Sequence, residues 1–376
     1  MSHLARASAV VLLSLVVSPR GTQKGGETDA TLVGTADAYL KTELSSTRIP
    51  GMAVCVVRRG NVVLAKGYGF ANMELSGPAS EHTIFELASL TKPFTAAAIM
   101  ILVEAGRISL EDRLPKYFAG APPSWTNVSV EHLLRHTSGF GDFFSIPELR
   151  SNADFAWERE IEFTDLLPIL FRVPIQSEPG ERWSYSNLGY YLLGLIIEKV
   201  SGEPYEDFLK RRVLDPLHMT ETQRMARRAI IQQRASGYTW QDQVLRNAAY
   251  TSITWAYSEG GLVSSASDLA KADDGLFGEK LLKRATLEQM WQPSKLRDGT
   301  VANYGIGWNV GSDPRRRQVY HSGNKPGFSA ITRHYLDESL TVVVLANVDN
   351  ASVAGGDVGA ISYHVSDIFL RSTPPH

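Results

Sequence analysis

The sequence predicts an α+β fold, an antiparallel β-sheet flanked by N- and C-terminal helices with a mostly helical subdomain inserted, the candidate site lying between the two. Three observations carry this prediction. Short apolar stretches rich in valine, isoleucine and leucine cluster near both ends of the chain. The links between them are too short for parallel crossovers, so the strands must pair antiparallel. The middle of the chain instead places Leu, Ile, Val and Phe at helical spacing.

Taken in order, Ala36 to Leu44 reads as an amphipathic helix. Met52–Val57 and Asn61–Ala65 follow as a hairpin around Arg58-Arg59-Gly60. The helical stretches are Thr91 to Glu104, Val130 to Leu134, Phe163 to Leu170, Leu188 to Val200 and Tyr205 to Leu214. Ser201-Gly202 ends the fourth and Pro204 opens the fifth. Gly260-Gly261 precedes a further helix opening at Ser265. Tyr304 to Val310, Gln318 to His321, Ser329 to Tyr335 and Leu340 to Ala346 read as strands, and Ser352 to Leu370 as a closing helix. The two chain ends therefore share one sheet. Residues 1–26 read as an export signal and linker and 27–376 as one domain, with its sheet part at about 30–88 and 290–376 and its helical part at about 89–289.

The chain has 376 residues, 43% hydrophobic and 21% charged, an ordinary globular composition. A formal net charge of -2 offers no electrostatic case for nucleic acid. Arg6 followed by the apolar run Ala7 to Val17 resembles an export signal, which implies a secreted or periplasmic protein. That run is too short for a stable membrane span. The one cysteine, Cys55, lies in an apolar stretch and reads as core; a single cysteine excludes an intrachain disulfide and a cysteine-based metal site.

Ser89-Leu90-Thr91-Lys92 precedes the apolar run Phe94 to Val103, which Gly106 closes. Pro93 suits the first turn of a helix. Residues three apart share a helical face, so the Ser89 hydroxyl and the Lys92 amine face one another. A hydroxyl needs a base to become a nucleophile at neutral pH. Lysine serves if burial and the positive helix terminus disfavour its ammonium form. Free N–H groups at that terminus suit an oxyanion. The competing reading is a serine N-cap with Lys92 in solvent. Spacing alone is weak evidence, since Ser322-Gly323-Asn324-Lys325 repeats it, in what reads as a turn.

Tyr185-Ser186-Asn187 lies in a polar turn opening the helix from Leu188. A phenol beside a lysine acts as a general base, and the Asn187 amide is able to hold a substrate carbonyl and Lys92 together. His321-Ser322-Gly323 reads as the end of a strand. Gly323 permits close substrate approach, the Asn324 N–H completes an oxyanion pair with Ser89, and His321 donates to a substrate carbonyl or carboxylate. Each of these residues also has a purely structural reading: a packed Tyr185, an Asn187 cap, a strand-end His321.

These matches, in this chain order, resemble the serine β-lactamase and penicillin-binding-protein superfamily, closest to class C β-lactamase-like proteins, D-alanyl-D-alanine carboxypeptidases and related esterases. Phe85–Lys92, Leu133–Gly139, Pro179–Asn187 and Gly260–Ser265 reinforce the likeness, which runs from about Gly51 to Asn347. The resemblance implies an acyl-enzyme on Ser89, Lys92 as its proton acceptor and Tyr185 as proton relay. It also implies that Asn187 positions substrate, that His321, Ser322, Gly323 and Asn324 form a substrate-side strand, and that no cofactor takes part. His321 stands where many members carry lysine, which sets efficient β-lactam hydrolysis in doubt.

His132 and His136 stand four apart, but no third ligand or adjoining glutamate accompanies them, so they do not read as a metal pair. No Gly-x-Ser-x-Gly elbow and no phosphate-cradling Gly-x-x-x-x-Gly-Lys sequence occurs. Arg48, Trp183, Tyr190, Trp255, Tyr257 and Phe328 read as cleft or packing residues alike. The expected partner is a small-molecule or peptide substrate, with oligomeric state open. The alternative function is a non-catalytic binder of peptidoglycan or of a partner protein. If cationic His321 holds a carboxylate, binding of acidic substrates weakens as pH rises through about 6.5.

Overall fold

Gly51–Arg58 is an unbroken apolar strand because both of its faces are covered. The computed structural model describes residues 28–141, 163–226, 228–313, 315–349 and 357–371. Its main sheet comprises β1 (Gly51–Arg58), β2 (Asn61–Asn72), β3 (Gly77–Pro78), β4 (Asn309–Val310), β5 (Gln318–Lys325), β6 (Phe328–Tyr335) and β7 (Leu340–Ala346). The order is β4-β5-β6-β7-β1-β2-β3, antiparallel throughout. β1 thus joins the two ends of the chain, with Val54 opposite Val344 on one side and Lys66 on the other.

Turn chemistry sets the register. Arg59 and Gly60 both take positive φ, 51° and 74°, as a two-residue hairpin loop requires. At the β5–β6 corner, Pro326 precedes Gly327 at φ 85°, the residue order of a type II turn.

The helices are α1 (Asp29–Ser46), α2 (Lys92–Glu104), α3 (Val130–Leu134), α4 (Phe163–Leu170), α5 (Asn187–Ser201), α6 (Tyr205–Leu209), α7 (Ile253–Gly260), α8 (Ala266–Lys271), α9 (Asp273–Leu276), α10 (Arg284–Met290) and α11 (Val358–Leu370). Ser186 caps α5 by accepting from the Gly189 N–H, and Gly202 ends it at φ 81°. Ser265 caps α8 in the same way. The middle of the chain also holds a small sheet in which Leu262–Ser264 lies between Phe85–Glu86 and Gln223–Arg224.

Side chains alternate across the sheet and divide the core in two. Ala53, Cys55 and Val57 join Val343, Leu345 and the helices of the insertion. Met52, Val54 and Val56 join Val342, Val344 and the inner faces of α1 and α11, among them Leu32, Leu40, Ile361 and Phe369. Full burial of each such leucine, isoleucine or phenylalanine contributes about 1.5–3 kcal/mol. This is the predicted α+β architecture.

Two strand expectations are corrected. Only Asn309–Val310 of the stretch from Tyr304 joins the sheet. Gly307, at φ 80°, sits so close to α2 that a Cβ there would meet the Ala96 side chain at 2.7 Å, so this stretch bends onto the helix. β5, in turn, does not stop at His321 but runs to Lys325, and the second Ser-x-x-Lys sequence is strand rather than turn. The expected export segment and the expected start of the closing helix (352–356) lie outside the described residues. Among the described residues no helix is long and apolar enough to cross a membrane.

Cys55 is fully buried in β1, and burial pushes its thiol up to about 12. In native protein at neutral pH it should resist a disulfide reagent, and it should react stoichiometrically in denaturant. Rapid labelling of the native chain would contradict this placement of β1.

Candidate active site

The segment Ala88–Thr91 is a 3-10 turn that runs straight into α2. Ala88 holds a left-handed φ of 47°, which costs an alanine about 1–2 kcal/mol. Such a cost is commonly stored next to reacting groups. Thr91 ties the turn to the neighbouring small sheet by accepting from the Leu262 N–H at 3.1 Å. The helix itself has no side-chain N-cap, so the serine-cap reading of Ser89 does not hold. Its hydroxyl instead accepts from Lys92 Nζ at 2.9 Å.

Lys92 is completely buried. Besides Ser89, its amine donates to Asn187 Oδ1, the Glu259 carbonyl and Glu259 Oε2, each at 2.8 Å. It also lies 4.9 Å from the centroid of the Tyr185 ring and 5.6 Å from that of Tyr190. Three ammonium protons thus face four acceptors. Burial alone would lower the Lys92 pKa, but the Glu259 carboxylate and the Tyr185 phenol outweigh it and hold it above the ordinary lysine value. The expectation that burial and the helix terminus discharge Lys92 is therefore corrected: it rests as an ammonium. Glu259 was not foreseen. Its one local signal was an acid immediately before Gly260-Gly261.

Glu259 reaches the lysine because α7 is broken at Tyr257, whose φ and ψ are 19° and -126°. After the break, the Ser258 carbonyl accepts from Thr95 at 2.7 Å and both Glu259 acceptors meet Lys92. Ser186 takes the capping duty on α5, which leaves the Asn187 amide oxygen for Lys92.

Tyr185, half-buried, packs its ring 4.3 Å from His136. His136 is buried at φ 57° with Nδ1 accepting from the Ser186 N–H, so it shapes the Tyr185–Asn187 turn. His132 closes a capping box with Ser129. Among the described residues no group of three or more His, Cys, Asp or Glu is placed to hold a metal ion.

His321 is buried, not presented to substrate as a cation. Its Nδ1–H donates to the Ser322 carbonyl at 2.8 Å, which leaves Nε2 to accept from the Tyr304 hydroxyl at 3.0 Å. Burial first, and the Lys92 charge second, pull its pKa down to about 3. The expected carboxylate-holding imidazolium is thus replaced by a neutral ring. Gly323 lies hard against the serine turn: a Cβ there would stand 2.0 Å from the Leu87 carbonyl oxygen and 3.0 Å from the Ser89 nitrogen. Ser322 and Asn324 are exposed on the alternate face of β5.

A cleft of about 460 Å³ opens over this turn. Ser89, Asn187, Trp255, Glu259 and Asn324 line it, whereas Tyr185, His321, Ser322 and Gly323 do not. Trp255 is thereby the wall residue among the ambiguous aromatics, while Tyr190 is core, donating to the Leu134 carbonyl at 2.7 Å. Chemically, the cleft offers a hydroxyl held by a buried cation, with a second carbonyl-binding amide and a glycine strand alongside.

Comparison with known proteins agrees with this geometry. Residues 36–361 match the Beta-lactamase family. The chain is 32% identical over 309 residues to penicillin-binding protein 4* of Bacillus subtilis (strain 168), covering 78% of this chain and 67% of that protein. It is 27% identical over 323 residues to protein flp of Staphylococcus aureus (strain NCTC 8325 / PS 47), covering 84% of this chain and 63% of that one. The chain therefore spans only part of the length of both. Among solved structures, the octameric penicillin-binding protein homologue from Pyrococcus abyssi superposes with a TM-score of 0.76 at 28% identity, covering 90% of this chain and 77% of that chain.

Burial holds His132 at about 4, His321 at about 3 and His136 well below 6.5. Between those values and 6.5 the unfolded chain binds protons that the native state refuses, so stability falls as pH drops below about 6.5. Each fully buried histidine steepens the fall by up to about 1.4 kcal/mol per pH unit. Calorimetry from pH 7 to about 4 should show a decreasing Tm, with a shallower slope for His321→Gln. An equal slope in that variant would place His321 in solvent.

Proposed function

The chain belongs to the beta-lactamase family, and on that premise we propose that it is a serine hydrolase working through an acyl-enzyme on Ser89. The bond cleaved is an ester or amide, in a D-Ala-D-Ala-type peptide, a β-lactam or a small ester. One observation carries this reading: a fully buried ammonium, Lys92, spends a hydrogen bond of 2.9 Å on the Ser89 hydroxyl. A protein that only binds has no use for so costly a group beside a serine. The family match and the relative named a penicillin-binding protein support the same chemistry.

In the proposed sequence the Ser89 oxygen attacks the substrate carbonyl as its proton passes to Lys92. Lys92 is already an ammonium, so it hands one of its own protons to Glu259 Oε2, 2.8 Å away. The Ser89 and Asn324 N–H groups stabilise the tetrahedral oxyanion. Tyr185 protonates the leaving group, is reprotonated by Lys92, and later activates water for deacylation. Asn187 positions the acyl carbonyl. Neutral His321 supplies orientation through Tyr304 rather than charge. The apolar run from Ala7 to Val17 supports export, so action in the periplasm or outside the cell belongs to the same proposal.

Ser89→Ala should abolish hydrolysis of a short-chain p-nitrophenyl ester. Mass spectrometry should find a fluorophosphonate or penicillin adduct on Ser89 of the unaltered protein. Unchanged hydrolysis in the variant would sink the mechanism, and absence of any adduct with both reagents would favour a binder. Glu259→Gln removes the acceptor of the Lys92 proton, so only a Lys92 that has already lost its charge can take the serine proton, and the kcat/KM profile should acquire a rising limb at higher pH than the unaltered protein shows. Superimposable pH profiles would remove Glu259 from the relay.

A further inference from the structure

The cleft over Ser89 does not end at the serine. A second cavity of about 380 Å³ adjoins it and shares the wall formed by Tyr250, Thr251, Lys325 and Pro326. Three charged side chains line it: Glu86, Arg234 and Lys325. Lys325 Nζ lies 2.5 Å from Glu86 Oε2, and Arg234 Nη2 donates to Glu86 Oε1 at 2.7 Å. Two cations thus bracket one carboxylate and leave one positive charge in excess. Lys325 and Glu86 are nearly buried, whereas the Arg234 side chain keeps 34% of its surface open. A guanidinium has five N–H donors, and here Nη2 donates to Glu86 Oε1 and, at 3.8 Å, to the Met225 sulfur.

The placement relative to the reacting centre is set by β5. His321, Gly323 and Lys325 fall on one face of the strand, and Gly323 abuts the Ser89 nitrogen. His321 and Lys325 therefore lie to opposite sides of the serine, each about 7 Å along the strand. Tyr185, the group assigned to the leaving group, stands at the His321 end, its ring 6.4 Å from the imidazole. The Lys325 end consequently faces the acyl portion of the substrate. We propose that Arg234 and Lys325, held apart by Glu86, form an anion subsite that selects acyl groups ending in a carboxylate. This deepens the serine-hydrolase reading and rests on it for the words acyl and leaving group. It also supplies the charge that neutral His321 does not. Arg234 offers the paired donors that a carboxylate matches, and Lys325 offers a fixed point charge.

The test pairs two esters of equal length, mono-p-nitrophenyl adipate and p-nitrophenyl hexanoate. Their binding is measured by calorimetry on Ser89→Ala protein, where no turnover intervenes. The adipate should bind at least about tenfold more tightly at low salt. Adding Arg234→Gln or Lys325→Gln should cut that advantage below about threefold, while Arg234→Lys, which keeps the charge and gives up the paired donors, should leave it between these two levels. Equal binding of the two esters, or an advantage that survives both charge removals, overturns the subsite. Hydrolysis by the unaltered protein is read separately. If neither ester is hydrolysed and neither fluorophosphonate nor penicillin forms an adduct on Ser89 while the binding preference holds, the serine-hydrolase reading fails and the anion site stands. If both are hydrolysed with equal kcat/KM, the subsite fails and the hydrolase stands.

Discussion

The arrangement of the cleft depends on a single buried ammonium. Lys92 draws together the serine turn, the first residue of α5 and the broken end of α7, three segments that no local sequence preference would hold in contact. Taking an ammonium out of water costs several kcal/mol unless it is matched by acceptors. Here the matching acceptors are the site itself, and of the four only the Glu259 carboxylate brings an opposite charge. The Glu259 carboxylate, together with the Tyr185 phenol, makes the difference between a lysine that burial would neutralise and one that stays charged.

Around that contact the fold works as a pair of walls. β5 supplies one, kept flush with the serine turn by the missing Cβ of Gly323. The helical insertion supplies the other, through the Tyr185–Asn187 turn and Trp255. The histidines between them are deprived of water and charge, and they order the aromatic side chains rather than titrate against substrate. Electrostatic selectivity is thereby left to the far end of the cleft, where Arg234 and Lys325 meet Glu86.

Much of this was legible in the sequence wherever burial is dictated by local pattern. The β1–β2 hairpin, β7, α3 and α5 are written as apolar periodicity bounded by turn residues, and Ser89, Lys92 and Asn187 do meet. β5 was cut short because the residues after His321, Ser-Gly-Asn-Lys, carry no apolar alternation. Its pairing with β6 comes from the partner strand, not from its own composition. Glu259 lies 167 positions from Lys92. Nothing local marks an ion pair across that separation, and without it the charge state of the lysine was read the wrong way. The neutrality of His321 was likewise hidden, since a histidine at a strand end shows neither its solvent exposure nor its tyrosine partner.

The central position of β1 has a consequence for how the molecule is made. Its neighbour β7 comes almost three hundred residues later in synthesis, with Val54 opposite Val344. Non-local pairings of that kind raise contact order and slow folding. A nascent chain carrying the complete nucleophile turn still has a sheet with one side of its middle strand bare. Assembly of the cleft therefore waits for the C-terminal hairpin.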